Sequence, residues 1–308
     1  MSVIGIDTSN YTTSIAYFDG KDGVNCSRLL PVKQGELGLR QSDAVFAHIK
    51  SLPELSGRLF SHIEEMGTIS AVGVSTRPRA VEGSYMPCFM VGFSHAKLLS
   101  EALHVPLVEV SHQQGHVAAS LWSAGHLELM DEPHLAWHLS GGTTELLLVE
   151  PEGKNVRCTK IGGTTDISAG QLIDRTGQLL ELTFPSGKHL DLLSRDATMK
   201  ETFKVKCSDM EFSLSGVQNK VQQFYAAHND PVETAGYALR CVTKAVYLAT
   251  EQALKAYPGL RVVFSGGVAS NGMLREVVRP LHPIFSEPQF STDNAMGVAV
   301  LAHRYQEG

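Results

Sequence analysis

The chain has 308 residues, 43% of them hydrophobic, which is enough to bury a large core and favours two lobes over one. A formal charge of −6 offers no general attraction to phosphate backbones, so any contact with nucleic acid requires a local basic patch. Five cysteines without a C-x-x-C pair argue against a disulfide framework or a thiolate zinc knuckle, and no uncharged run reaches membrane-spanning length. A cytoplasmic protein without membrane contact is expected.

In chain order, apolar patterning predicts strands at Val3–Ile6, Thr13–Phe18 and Val24–Leu29, then helix from Ala44 to about Glu65 and a strand Ser70–Ser75. A helix over Met90–Leu103 leads to an extended stretch, Pro106–Val110, and then to the helical-looking "SHQQGHVAAS". After Asp131 the pattern restarts with three strands in "HLAWHLSGG", "TELLLVEPEG" and "NVRCTKIGG". Helices follow at about Ser168–Leu182, Ser213–His228 and Pro231–Tyr257. The end reads as a strand in "RVVFSGG", a helix Asn271–Val278, a short strand near Ile284 and a closing helix Asn294–Tyr305. We place the N-terminal lobe at residues 1–110, with the closing helix 294–305 packing back on it, and the C-terminal lobe at 111–308.

Two stretches share one plan. "IGIDTSNYTTSIAYFDG" and "AWHLSGGTTELLLVEPEG" each run from an apolar strand through a small polar turn with Thr-Thr into a second apolar strand, then to acidic residues and glycine. Each predicts a hairpin whose turn presents hydroxyls and backbone N–H groups, Ser9 and Thr12 in the first, Ser140, Gly141, Gly142 and Thr143 in the second. Two such turns suit phosphate, although common turn residues build ordinary hairpins as well.

His112 and His116 are four apart, so on a helix both imidazoles share a face and could reach one ion. Random placement of 13 histidines gives about half a pair at this spacing, so the pair needs context. Gln113 stands where the zinc-protease helix needs a glutamate base, which disfavours a water-activating protease.

Four further pieces supply context. In "FSGGVASNG", Gly266 and Gly267 follow a buried strand and Asn271 opens a helix, an arrangement that lets a nucleotide approach the backbone or simply joins two elements. "DISAGQLIDRTGQLL" carries Asp166, Asp174 and Arg175, candidates for a site or for capping and surface charge, and "FPSGKHLD" places Gly187 in a turn. Asp293 lies at the mouth of the last helix, where a carboxylate is also a common cap.

Taken together and in this order, these motifs resemble the tRNA threonylcarbamoyladenosine transferase family, over nearly the whole chain from Asp7 to Asp293. The resemblance implies an α/β fold of two lobes like actin, sugar kinases and chaperone ATPases, with a nucleotide cleft between the lobes. The family's H-x-x-G-H and T-D-N patterns match "HQQGH" and "TDN", which makes His112, His116 and Asp293 the implied ligands of one zinc or iron ion. By the same matching, Ser140–Thr143, Asp174, Gly187, Gly266, Gly267 and Asn271 hold an adenine nucleotide, ATP or an acyl-adenylate, with magnesium as a further cofactor. A tRNA and a partner protein of the family's kind are the implied macromolecular partners.

Several positions depart from the family. "TRPRAVEGSY" puts Arg77 and Arg79 where a glycine-rich loop is usual, Thr143 and Glu145 replace a ring or amide and a glutamine, and Gln171 and Arg175 replace an acid and a lysine. The changes leave the metal set intact and fall on the implied phosphate and acyl pocket, as in a diverged paralogue. His138 stands where archaeal-type members carry a metal-binding tyrosine; strand alternation points it to the same side as Ser140, so it joins the implied ligands. The expected activity is metal-dependent transfer of a threonylcarbamoyl or carbamoyl group from an acyl-adenylate. The alternatives are a non-catalytic nucleotide- and metal-binding partner of a true transferase, and a carbamoyltransferase acting on a small molecule.

Overall fold

The computed structural model describes residues 1–9, 11–31, 39–63 and 67–306. The chain divides into two compact units, the first made of Met1–Glu132, Glu150–Cys158 and Asp293–Gly308, the second of Pro133–Val149 and Thr159–Thr292. Residues 111–132, assigned from sequence to the C-terminal lobe, therefore belong to the first unit. The reason is local: the helix that follows residue 111 packs on the C-terminal helix and on the first sheet.

The first unit is built on β1 (Ser2–Thr8), β2 (Thr12–Phe18), β3 (Gly23–Leu29), α1 (Gln41–Ser61), β4 (Ile69–Arg77), α2 (Phe89–Leu103), β5 (Leu107–Ser111) and α3 (His112–Ser123). Its sheet runs β3-β2-β1-β4-β5, antiparallel in the β1–β2–β3 meander and parallel across β1, β4 and β5. β1 is buried on both faces, which is why its sequence reads as a continuous apolar run rather than an alternation. One face packs Ile4, Ile6, Ile15, Val72 and Val74 against Leu52, Leu55 and Leu59 of α1 and Ala96 of α2. The other face is small. A Cβ on Gly5 would meet Ala299 N at 2.6 Å and one on Gly73 would meet Val298 O at 2.8 Å, so the C-terminal helix (Met296–Gln306) lies flush on β1 and β4. The end of α1 expected at Glu65 lies outside the described residues.

The second unit takes in β6 (His134–Leu139), β7 (Thr144–Glu152), β8 (Asn155–Thr164), α4 (Ala169–Leu179), α5 (Gly187–Ser194), β9 (Cys207–Ser208), β10 (Glu211–Phe212), α6 (Ser215–His228), α7 (Pro231–Ala256), β11 (Val262–Ser265), α8 (Gly272–Val278) and β12 (Ile284–Phe285). The outer part of the β7–β8 hairpin, Glu150–Cys158, counts with the first unit. The sheet order is β12-β11-β6-β7-β8-β10-β9. Leu135, Trp137, Leu139 and Phe264 of the central strands pack against Tyr237, Val242, Ala245 and Ala249 of α7. That helix starts sharply because Asp230 accepts from the N–H groups of Val232 and Glu233 and Pro231 occupies the first turn, where its missing N–H costs nothing.

Two sequence readings of local structure differ from the fold. Gly187 is the first residue of α5, not part of a turn: Ser186 O accepts from Leu190 N at 2.8 Å, so the chain enters the helix without a left-handed residue. The short β9–β10 pair was missed because two-residue strands carry no periodicity to read. Among the described residues no helix is long and apolar enough to cross a membrane.

Candidate metal centre and nucleotide site

α3 owes its register to a capping box. Ser111 Oγ accepts from Gln114 N at 3.2 Å while Gln114 Oε1 accepts from Ser111 N at 2.9 Å, so the helix begins at His112. His112 and His116 then lie one turn apart on one face, with their Nε2 atoms 2.9 Å from each other. Asp293 Oδ1, just ahead of the C-terminal helix, is 3.3 Å from His116 Nε2 and 3.5 Å from His112 Nε2. Two imidazole nitrogens and one carboxylate oxygen thus lie within 4.8 Å of one another, all in the first unit. Donors at bonds of about 2.0–2.1 Å in a tetrahedral zinc site stand about 3.3 Å apart, so the donor set and its spacing fit a zinc or ferrous ion.

The electrostatics of the centre are dominated by acids. Burial disfavours the imidazolium of His112, but Asp7 and Asp293 outweigh it and push its pKa up to about 10. Burial likewise works against ionised Asp293, yet the two histidines hold its carboxyl well below the usual range. Asp7, 1% exposed, accepts from His112 Nδ1 at 2.8 Å and is also held low despite its burial. A site that concentrates negative charge around two rings attracts a cation. The sequence named Asp7 only as the start of the motif order and gave it no role at this centre.

Ser9, expected to contact phosphate, is buried, and its hydroxyl donates to Asp293 Oδ2 at 3.3 Å. Thr12 is buried at the start of β2. Arg77 ends β4, and both it and Arg79 are exposed; Arg79 N donates to Ser84 Oγ at 3.0 Å. His138 lies on β6 of the second unit, paired in register with Glu145 on β7 and Ser265 on β11.

The remaining expected residues all belong to the second unit. The β6–β7 turn is held from within: Ser140 N donates to Thr143 O at 2.8 Å and Thr143 N to Ser140 Oγ at 3.1 Å. The start of α4 braces it, with Ser168 Oγ donating to Gly141 O at 2.6 Å and Ala169 N to Thr144 Oγ1 at 2.8 Å. A Cβ on Gly141, Gly142 or Gly267 would meet nothing within 4 Å, so internal packing does not demand glycine there. Gly266 differs: its φ of 91° and the proximity of Leu139 O explain it structurally. Asp174 accepts from Ser186 N at 2.9 Å, one residue before Gly187, and burial pushes its carboxyl upward. Asn271 caps α8 by accepting from Leu274 N and donates its Nδ2 to Asp191 Oδ1 at 2.7 Å. Asp191, which also accepts from Gly272 N at 2.9 Å, had no sequence signal.

Two α/β units, each opening on a hairpin with a Ser/Thr-bearing turn, define the sugar-kinase and actin-like class, and solved structures bear this out. Full-length HypF in its phosphate- and nucleotide-bound form matches all of this chain with a TM-score of 0.64 at 14% identity, this chain spanning 47% of HypF. A ROK hexokinase from Thermus thermophilus matches over the full length of both chains with a TM-score of 0.54 at 16% identity. The family profile for tRNA N6-adenosine threonylcarbamoyltransferase matches residues 38–300. Enzymes of that name from Carboxydothermus hydrogenoformans and Kosmotoga olearia are 30% and 31% identical, over 99% and 98% of this chain and 93% of each relative. The chain belongs to the tRNA N6-adenosine threonylcarbamoyltransferase family.

Proposed function

We propose that this protein transfers a threonylcarbamoyl group from its adenylate to an adenosine of tRNA, using one zinc or iron ion held by His112, His116 and Asp293. The observation that carries the reading is the convergence of those three donors, from two distant parts of the chain, within 4.8 Å. An ion on this donor set supplies Lewis acidity toward a carbonyl or a departing oxyanion. In the second unit, the N–H groups of the Gly141–Gly142 turn are the donors for phosphate oxygens. Asp174 and the start of α5 at Gly187 take the adenosine side. No serine or cysteine nucleophile is required, because the acceptor amine itself attacks the activated acyl group.

Purified protein is expected to carry about one zinc or iron per chain and His116→Ala to lose it, as read by elemental analysis. With labelled threonylcarbamoyl-adenylate and unmodified tRNA, the metal-loaded protein, supplied with partner proteins from the same cell, is expected to label tRNA. Equal metal in wild type and His116→Ala would reject the ligand set. Binding of the adenylate without transfer would favour the non-catalytic partner, and label appearing on a small-molecule amine in place of tRNA would favour the small-molecule carbamoyltransferase.

A further inference from the structure

We propose that Asp7 is the positioning residue of the metal centre, fixing His112 by one carboxylate oxygen and, through Ser9, orienting Asp293 by the other. The inference rests on the reading of His112, His116 and Asp293 as ligands. It adds the group that decides which atoms those ligands present.

A neutral imidazole can bind an ion through either nitrogen, and the proton on the other nitrogen makes the choice. An ionised carboxylate only accepts hydrogen bonds. Asp7 Oδ2 lies 2.8 Å from His112 Nδ1, so the proton stays on Nδ1 and the lone pair of Nε2 is left toward His116 and Asp293. Asp7 sits at the opposite edge of the ring from that group, which makes it a partner of the ligand and not a ligand itself. Its second oxygen is equally committed. Asp7 Oδ1 accepts from Ser9 N at 2.9 Å, and Ser9 Oγ donates to Asp293 Oδ2 at 3.3 Å. With Oδ2 so held, Oδ1 is the Asp293 oxygen that faces the two rings. One carboxylate at the end of β1 therefore aligns two of the three donors. Its burial at 1% exposure keeps water from competing for either bond. Carboxylates behind metal-binding histidines have this effect generally, and their loss weakens metal binding about 10–100-fold.

The test uses the full chain loaded with zinc. In Asp7→Asn the side chain keeps its size, but its amide NH2 can turn toward Nδ1 and the obligate acceptor is gone. Chelator competition is expected to give a zinc Kd about 10–100-fold weaker than wild type. Ser9→Ala is expected to weaken zinc in the same direction by less. Independently of any variant, nitrogen–proton correlation spectra of zinc-loaded wild type are expected to show His112 protonated at Nδ1 and metal-bound at Nε2. This readout would not respond to a merely structural role and remains available if Asp7→Asn fails to fold. An unchanged Kd in Asp7→Asn, or His112 bound to zinc through Nδ1, overturns the proposal. Zinc bound by His116→Ala as tightly as by wild type overturns the ligand reading instead, so the two failures are distinct.

Discussion

Asp166 illustrates how one side chain earns its place by geometry alone. It accepts from the hydroxyls of Ser213 and Ser215 at 2.5 and 2.6 Å and from Leu214 N at 2.8 Å, at the start of α6, whose own cap residue Leu214 has no side-chain acceptor to offer. Partial burial acts to raise its pKa, but these donors outweigh it and hold the carboxyl well below the usual range. A depressed folded pKa contributes stability that is present above the unfolded value, about 3.9, and lost as pH falls from there through the folded value. Asp166→Asn is therefore expected to be less stable than wild type at pH 7, with the gap narrowing below about pH 4 as the carboxyl of the unfolded wild-type chain takes up a proton that the folded one still resists. Urea midpoints from pH 7 to 3 check this, and a gap that does not change with pH would assign the loss to hydrogen bonding without charge. The sequence left Asp166 between site and cap, because both readings place an acid before a helix. The three donors that decide it are 47 or more residues away.

At the scale of elements, the metal centre depends on two helices crossing at glycine. A Cβ on Gly297 of the C-terminal helix would run into Gly115 O and meet Ala119 N at 2.7 Å; one on Gly115 would meet Val298 Cγ2 at 3.2 Å. The atoms met by Gly297 are backbone and cannot rotate away. Gly297→Ala is expected to destabilise by about 1–3 kcal/mol, in line with overpacked cores. Because His112 and His116 ride on α3 while Asp293 precedes the C-terminal helix, the same change is expected to weaken zinc binding. Gly57→Ala is the control: its Cβ meets nothing within 4 Å on the exposed side of α1, and alanine there is expected to be neutral or stabilising by up to about 1 kcal/mol. Urea melts together with chelator competition measure both effects. α3 itself was legible as two histidines four apart behind a serine. Its partner was legible only as a helix rich in small residues, since nothing local says which glycine faces which.

For the whole molecule, ligands that bind only the native state raise its stability by mass action, by about 2.7 kcal/mol at a concentration of 100 times Kd. Chelation is expected to lower the Tm of the metal-loaded protein, zinc to restore it, and His116→Ala to ignore both. An adenine nucleotide is expected to raise the wild-type Tm, with most of that shift lost in Asp174→Ala. Scanning calorimetry reads each of these outcomes. A wild type indifferent to ATP and AMP, with or without magnesium, would reject the nucleotide site.

Read by itself, the sequence determined the α/β class, most of the strands and helices, the H-x-x-x-H pair and the motif order that marks the family. These are local facts, written in periods of two and 3.6 and in caps and turns that span a few residues. The tertiary structure decided what those residues meet. Asp7 reaches His112 across 105 positions because β1, β4 and β5 are parallel neighbours whose ends lie side by side. Asp293 reaches Ser9 across 284 because Gly5 and Gly73 let the last helix settle on the first sheet. Neither separation leaves a periodicity in the chain, so the group that holds His112, and the hydroxyl that turns Asp293 toward it, were visible only once the strands had been ordered.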